Sequence, residues 1–161
     1  MPVRPWKRDL LGLLGFVAVC LAVSGLGGAV TATSVGTWYA ALAKPWFTPP
    51  DAVFAPVWTA LFLLMAVAGW RVWRRPDGRR RVVALNWFGI QLVLNLLWSV
   101  IFFGLRAPGW ALAEIVLLIA AIVATIRVFW GLDRWAGAAL FPYLLWVAFA
   151  AVLNASLWWL N

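Results

Sequence analysis

Residues 38–58 read WYAALAKPWFTPPDAVFAPVW. Three Trp, one Tyr, two Phe and four Pro crowd into this stretch, with only two charges, Lys44 and Asp51. So aromatic a segment is no ordinary solvated linker. So many prolines also prevent one uninterrupted helix, since each fixes φ and removes an N–H donor. Its meaning depends on what lies to either side.

Upstream, no charge occurs between Asp9 and Lys44. Downstream, apolar runs continue to the end. The 161-residue chain is 66% hydrophobic and 11% charged, with mean hydropathy +0.95. That leaves too little polar surface for a soluble domain and places the chain in the membrane class. A spanning helix needs about 20 mainly apolar residues. Five runs qualify, at 10–32, 53–72, 82–104, 109–130 and 135–159. Pro76-Asp77-Gly78 separates the second from the third, and Pro108-Gly109 the third from the fourth. Connections of a few residues force antiparallel neighbours. The predicted fold is an all-α membrane protein, a five-helix up-down bundle in a single domain over 1–161. The aromatic, Pro-rich segment forms a structured loop at 33–54. The basic start MPVRPWKRD looks like the head of a signal peptide. The apolar part that follows exceeds the usual h-region of about 7–15 residues, so it reads as the first span.

Net charge is +8, and six of the thirteen basic residues lie in RVWRRPDGRRR (71–81). Placed between two apolar runs, they read as topology determinants rather than a nucleic-acid patch. Five spans put the N-terminus, the 71–81 loop and the 131–135 turn on one face. That face holds Arg4, Lys7, Arg8, the six loop arginines, Arg127 and Arg134; the other holds only Lys44 and Arg106. The positive-inside rule makes the N-terminus cytoplasmic and puts the 33–54 loop and C-terminus on the opposite face.

The chain has no His and a single Cys, Cys20, inside an apolar run. A His-based dyad, an ordinary zinc site and an axial His for haem iron are excluded, and so is an intrachain disulfide. No metal and no required cofactor is expected. Of the fourteen Trp, twelve fall near predicted boundaries, where an apolar ring with one polar N–H is at home. Trp58 belongs to the outer belt on this spacing. Trp98 and Trp146 fall mid-span, and an indole N–H buried in hydrocarbon needs an acceptor, which points them into the bundle.

The third run carries Gln91, Asn95, Trp98 and Ser99 on one helical face; the fifth carries Tyr143, Trp146, Ala150 and Asn154. Polar stripes in membrane helices face other helices or a cavity, so interhelical hydrogen bonding alone is one reading. If both stripes face inward they enclose an aromatic chamber with a few amides, suited to a large, flat, mostly apolar ligand. The 38–58 segment then reads as a stiff lid over that chamber, or as an anchor in the headgroups. Glu114, the one acid within a span, reads as an ion pair with Arg106 or Lys44, a snorkelling carboxylate, or a ligand contact. The small residues SGLGGAVTA (24–32) read as helix packing.

The pattern W-Y-x-x-L-x-K-P-W-x-x-P-P (38–50), continuing as F-x-P-x-W-T (54–59), resembles the TspO/MBR family of tryptophan-rich sensory proteins. QLVLNLLWS (91–99), GWALAE (109–114) and PYLLWVAFAAVLN (142–154) match further family motifs in order. The resemblance implies five membrane helices, a homodimer, and a pocket under the first loop for porphyrins such as protoporphyrin IX and haem. It also implies a sensory or regulatory role in tetrapyrrole metabolism. By position it assigns ligand contacts to Tyr39, Trp58, Asn95, Trp98, Trp146 and Ala150, moving Trp58 from the belt into the pocket. Trp58 and Trp146 match tryptophans tied to light-dependent porphyrin breakdown in some bacterial members. The chain ends LNASLWWLN (153–161), without the Tyr and basic residue of the cholesterol segment of mammalian members, so cholesterol binding there is not expected. Three roles stand open: a binder that senses or carries porphyrin, an enzyme degrading it with light and oxygen, and a scaffold for partner proteins. The residues supply no acid–base pair, nucleophile or metal box, and the bilayer is the one partner that composition itself requires.

Overall fold

The computed structural model describes residues 6–76 and 78–161. Arg4, counted above among the basic residues, and Asp77, part of the second breaker, lie outside the described residues. Among those described there is no strand. The helices are α1 (Trp6–Ala32), α2 (Asp51–Trp73), α3 (Gly78–Ser99), α4 (Pro108–Leu132), α5 (Arg134–Ala139) and α6 (Phe141–Leu160). They make five spans long and apolar enough to cross a membrane, the fifth being α5 and α6 together.

The fifth run is broken at Leu140, one residue before Phe141-Pro142 opens α6. Pro142 cannot supply an N–H to a continuing helix and its ring crowds the carbonyl four residues earlier, so the backbone restarts. Two other helix ends also depart from ideal α geometry. Val35–Tyr39 and Val100–Gly104 are wound as π-helical turns. The first shortens the expected 33–54 loop, since helical winding persists to Ala41 and resumes at Asp51. The arginines at 79–81 sit in the first turn of α3, where long side chains extend their charges toward water.

α4 is the central helix. Its inward face carries Ala111, Ile115, Leu118, Ile122, Ile126 and Phe129, repeating at i+3 and i+4. It packs on α3, α5 and α6; α1 packs on α2 and α3 and buries only Cys20 and Gly27. A hydrophobic residue on the lipid side of such a helix is at no disadvantage, which is why α1 carries apolar residues all round.

Polar contacts tie each end together. At one end, Arg74 pairs with Asp9 at 3.0 Å and Trp70 Nε1 donates to the Asp9 carbonyl at 2.9 Å. Arg71 and Arg75 both bind the Asp133 carboxylate, which also caps α5 by accepting from the N–H groups of Trp135 and Ala136. Burial alone would raise the Asp133 carboxyl, but the bonds from Arg75, the Ala136 N–H and Arg71 outweigh it and hold the group at about 2. The N-terminal end of α1, the α2–α3 connection and the α4–α5 corner therefore share one face. At the other end, buried Ser34 donates to the Phe103 carbonyl at 2.9 Å. The Asn161 side chain clasps Ala43, accepting from its N–H at 2.9 Å and donating to its carbonyl at 3.1 Å.

Candidate functional site

The two polar stripes meet. Asn95 Nδ2 of α3 donates to the Tyr143 hydroxyl of α6 at 3.0 Å, and one turn further out Trp98 Nε1 donates to Asn154 Oδ1 at 3.1 Å. The inner rung extends into the core: the Tyr143 hydroxyl donates to Gln91 Oε1 at 2.8 Å, and Gln91 Nε2 reaches Met65 Sδ of α2 at 3.7 Å. The outer rung ends on backbone, with Asn154 Nδ2 donating to the Pro108 carbonyl at 2.7 Å. Each buried amide thus has partners, as a low-dielectric interior requires.

Above and beside these rungs lies a cavity of about 440 Å³ between α1, α2, α3 and α6, in the size range of small-molecule sites. All six residues singled out from the sequence, Tyr39, Trp58, Asn95, Trp98, Trp146 and Ala150, line it. Trp58 is in this wall and not in an interfacial belt. Its ring stands 6.5 Å from that of Trp146 at 87°, and 6.4 Å from Tyr143 at 68°. Trp98 stacks on Phe102 at 5.2 Å and 23°. Trp98 finds the acceptor expected of a mid-span indole; Trp146 does not, and its buried Nε1 has no hydrogen-bond partner.

Sequence reasoning missed much of the wall. Phe54 meets Trp146 edge-on at 5.8 Å, and Phe149 lies 5.5 Å from the same ring. The small residues of α1 were read as packing. Gly27 does approach a neighbour, since a Cβ there would lie 3.3 Å from Ser99 Oγ, but it also lines the cavity. Ser24, Gly28, Thr31 and Ala32 line the cavity, and a Cβ at Gly28 would meet nothing within 4 Å. The signal available was their spacing at i, i+4, i+7 and i+8, one helical face of small side chains that leaves room instead of filling it.

The 38–58 segment closes this end of the bundle, opposite Asp133, only in part. Tyr39, Asp51, Phe54 and Trp58 line the cavity, whereas residues 40–50 do not. Phe47 rests 6.3 Å from Phe149, behind the wall, and Trp46 is 96% exposed, as an interfacial anchor would be. The lid and the anchor thus divide the segment between them. Tyr39 is fixed by Phe103 at 5.6 Å on one side and by Lys44 Nζ 4.8 Å from its ring on the other. Burial, with a smaller contribution from the Asp51 carboxylate, pushes its hydroxyl up to about 12. It therefore stays a neutral donor at the cavity mouth.

Glu114 forms none of the pairs expected of it. It is 5% exposed, and neither carboxyl oxygen has a hydrogen-bond partner. Lys44 instead donates to the carbonyls of Ala40 and Leu42, and Arg106 is exposed.

With this geometry in hand, likeness to other chains becomes informative. The TspO/MBR family model matches residues 16–160. The tryptophan-rich protein TspO of Archaeoglobus fulgidus is 38% identical over 153 residues, covering 95% of this chain and 99% of that one. The translocator protein of Sus scrofa is 37% identical over 160 residues, covering 96% and 90%. The tryptophan-rich sensory protein of Cereibacter sphaeroides is 36% identical over 148 residues, covering 92% and 90%. The matched region takes in the first span from residue 16, the other four spans, both polar stripes and the whole cavity wall, and the chain belongs to the TspO/MBR family of membrane proteins.

Proposed function

We propose that this chain is a membrane receptor for porphyrins, with protoporphyrin IX and haem as the ligand class and a sensory or regulatory role in tetrapyrrole metabolism. The observation that carries this reading is the convergence of indole and phenyl rings from three helices on one cavity of about 440 Å³. A flat macrocycle gains from such walls by stacking and by apolar burial, about 25 cal/mol per Å² removed from water. Among the polar groups of the wall, Tyr39, Asn95 and Asn154 are fixed by neighbours and so are pre-organised to meet ring nitrogens or carboxylates. The relatives' names, translocator protein and tryptophan-rich sensory protein, support a translocating or sensory role. With basic residues gathered at the Asp133 end, the positive-inside rule supports a cytoplasmic N-terminus and an opposite-facing cavity mouth.

Titrating protoporphyrin IX into the purified protein is expected to quench tryptophan fluorescence. The double variant Trp58→Phe, Trp146→Phe should lose much of that quenching and weaken affinity by about tenfold, roughly 1.4 kcal/mol. Unchanged quenching and affinity would place the ligand elsewhere. The adjacency of Trp58 and Trp146, 6.5 Å between centroids, favours one second reading: photo-oxidative breakdown of the bound porphyrin. Illumination in oxygen should then give an absorbing product beyond a free-porphyrin control, and should fail to do so in the same double variant.

A further inference from the structure

The cavity wall is not closed evenly. Its exposed residues fall in two rows: Gly28, Ala32 and Gly36 along α1 and the turn after it, and Asp51, Ala55 and Thr59 along α2. Each row repeats at i, i+4 and i+8, one edge of a helix. Wall residues from α3, the turn after it and α6 are all buried or half-buried. A seam between α1 and α2 therefore opens the cavity to its surroundings. A Cβ at Gly28 or Gly36 would meet nothing within 4 Å, whereas one at Gly69, nearer the Asp133 end, would lie 2.8 Å from the Phe16 ring. The two helices thus part toward the end opposite Asp133. Asp51 stands there, in the first turn of α2, where the helix dipole favours a negative charge. Thr59 lies eight residues further along α2, about 12 Å deeper at 1.5 Å per residue.

Asp51 carries the only formal charge among the described residues of the wall. Its carboxylate forms no ion pair among the described residues. Lys44 does not answer it, since its Nζ donates to the carbonyls of Ala40 and Leu42 and it stays outside the wall. The charge is felt across the mouth at the Tyr39 hydroxyl, which it helps to push up. A flat ligand seated against Trp58 and Trp146 cannot bury free carboxylates among uncharged groups without great cost. Its charged edge must therefore lie at the end of the seam that headgroups and water reach, and there it meets Asp51 as a like charge. A neutral edge escapes that repulsion, and an ester carbonyl there can accept from the Tyr39 hydroxyl. We propose, resting on the porphyrin reading above, that Asp51 sets the charge selectivity of this site: porphyrins with esterified side chains are favoured over those with free acids.

The test titrates protoporphyrin IX and its dimethyl ester separately into the whole protein in phosphatidylcholine nanodiscs, with tryptophan quenching as the readout. Each ligand is compared across variants, which cancels the different partition of diacid and diester into lipid. Asp51→Asn should bind the diacid about threefold or more tightly than wild type, the scale of one exposed like-charge contact, and bind the diester unchanged. High salt should shrink the diacid difference, since exposed charges are screened. Asp51→Glu, which keeps the charge, should match wild type toward both ligands. Equal diacid affinity in wild type and Asp51→Asn, a gain shared by the diester, or the same gain in Asp51→Glu would each overturn the proposal. Should Asp51→Asn fail to fold, Asp51→Ser must give the same gain for the diacid alone. Absence of quenching by either porphyrin in wild type is a different result: it removes the porphyrin reading, and this selectivity with it.

Discussion

At the scale of single residues, the amide that faces the cavity owes its orientation to a sulfur atom on another helix. A thioether only accepts, so Gln91 must turn Nε2 toward Met65 and Oε1 toward Tyr143. Tyr143 must then donate to Gln91 and accept from Asn95. Every donor direction in the chain follows from that first constraint. Tyr143→Phe is expected to lower stability by about 1–3 kcal/mol, because it strands the buried Gln91 oxygen and the Asn95 N–H. Adding Gln91→Leu should recover part of that loss, since removing both partners costs less than removing one. Thermal unfolding of the two single variants and the double variant in detergent measures the coupling. Asp133 sets a second residue-scale expectation. Its carboxyl sits at about 2 in the fold, below the ordinary carboxylate value of about 3.9. A depressed value stabilises the fold above the ordinary value, and the contribution fades as pH falls from about 4 through about 2. Asp133→Asn should cost about 1–2 kcal/mol near neutral pH, modest because both arginines remain partly hydrated. The gap between wild type and variant should close as pH is lowered toward 2.

Individual elements show where sequence reading succeeds and where it stops. Span limits expected at 10–32, 53–72, 82–104, 109–130 and 135–159 fall within a few residues of the helical spans 6–32, 51–73, 78–104, 108–132 and 134–160. Hydropathy locates such runs because the bilayer penalises every polar departure. It says nothing of hydrogen-bond register, so the π-helical turns at Val35–Tyr39 and Val100–Gly104 left no trace in it. The break at Leu140 was legible in principle from Pro142, but a proline near a helix start is also what an intact span tolerates. The α4–α5 corner gives the element-scale prediction. A Cβ at Gly137 would lie 3.1 Å from the backbone N and Cα of Trp130 and 2.9 Å from its ring. Backbone cannot yield as a side chain does, so Gly137→Ala should destabilise by about 1–3 kcal/mol. Gly89→Ala on α3, with nothing within 4 Å, should be neutral or slightly stabilising. Unfolding midpoints of the two variants, measured side by side, decide this.

For the molecule as a whole, the cavity exists because α1 contributes almost no bulk to it while α2, α3 and α6 contribute rings. Half of that was readable. Polar residues repeating along the third and fifth runs forced those faces inward, and the family motif brought in Trp58 and Tyr39. The other half was not readable. A small residue lets a neighbour approach or leaves a void, and which of these occurs depends on the partner helix. Phe54, Phe102 and Phe149 were likewise indistinguishable from lipid-facing aromatics until the helices were placed. Ala150 is where both halves meet, a small side chain on a ring-bearing helix, half-buried in the wall. The most direct measurement is an equilibrium titration of protoporphyrin IX against wild type and Ala150→Phe, with unfolding temperature as the control. A phenyl group in the cavity should leave the fold intact and weaken binding by about tenfold or more, roughly 1.4 kcal/mol. Equal affinity and stoichiometry in a folded Ala150→Phe protein would contradict a porphyrin site inside the bundle.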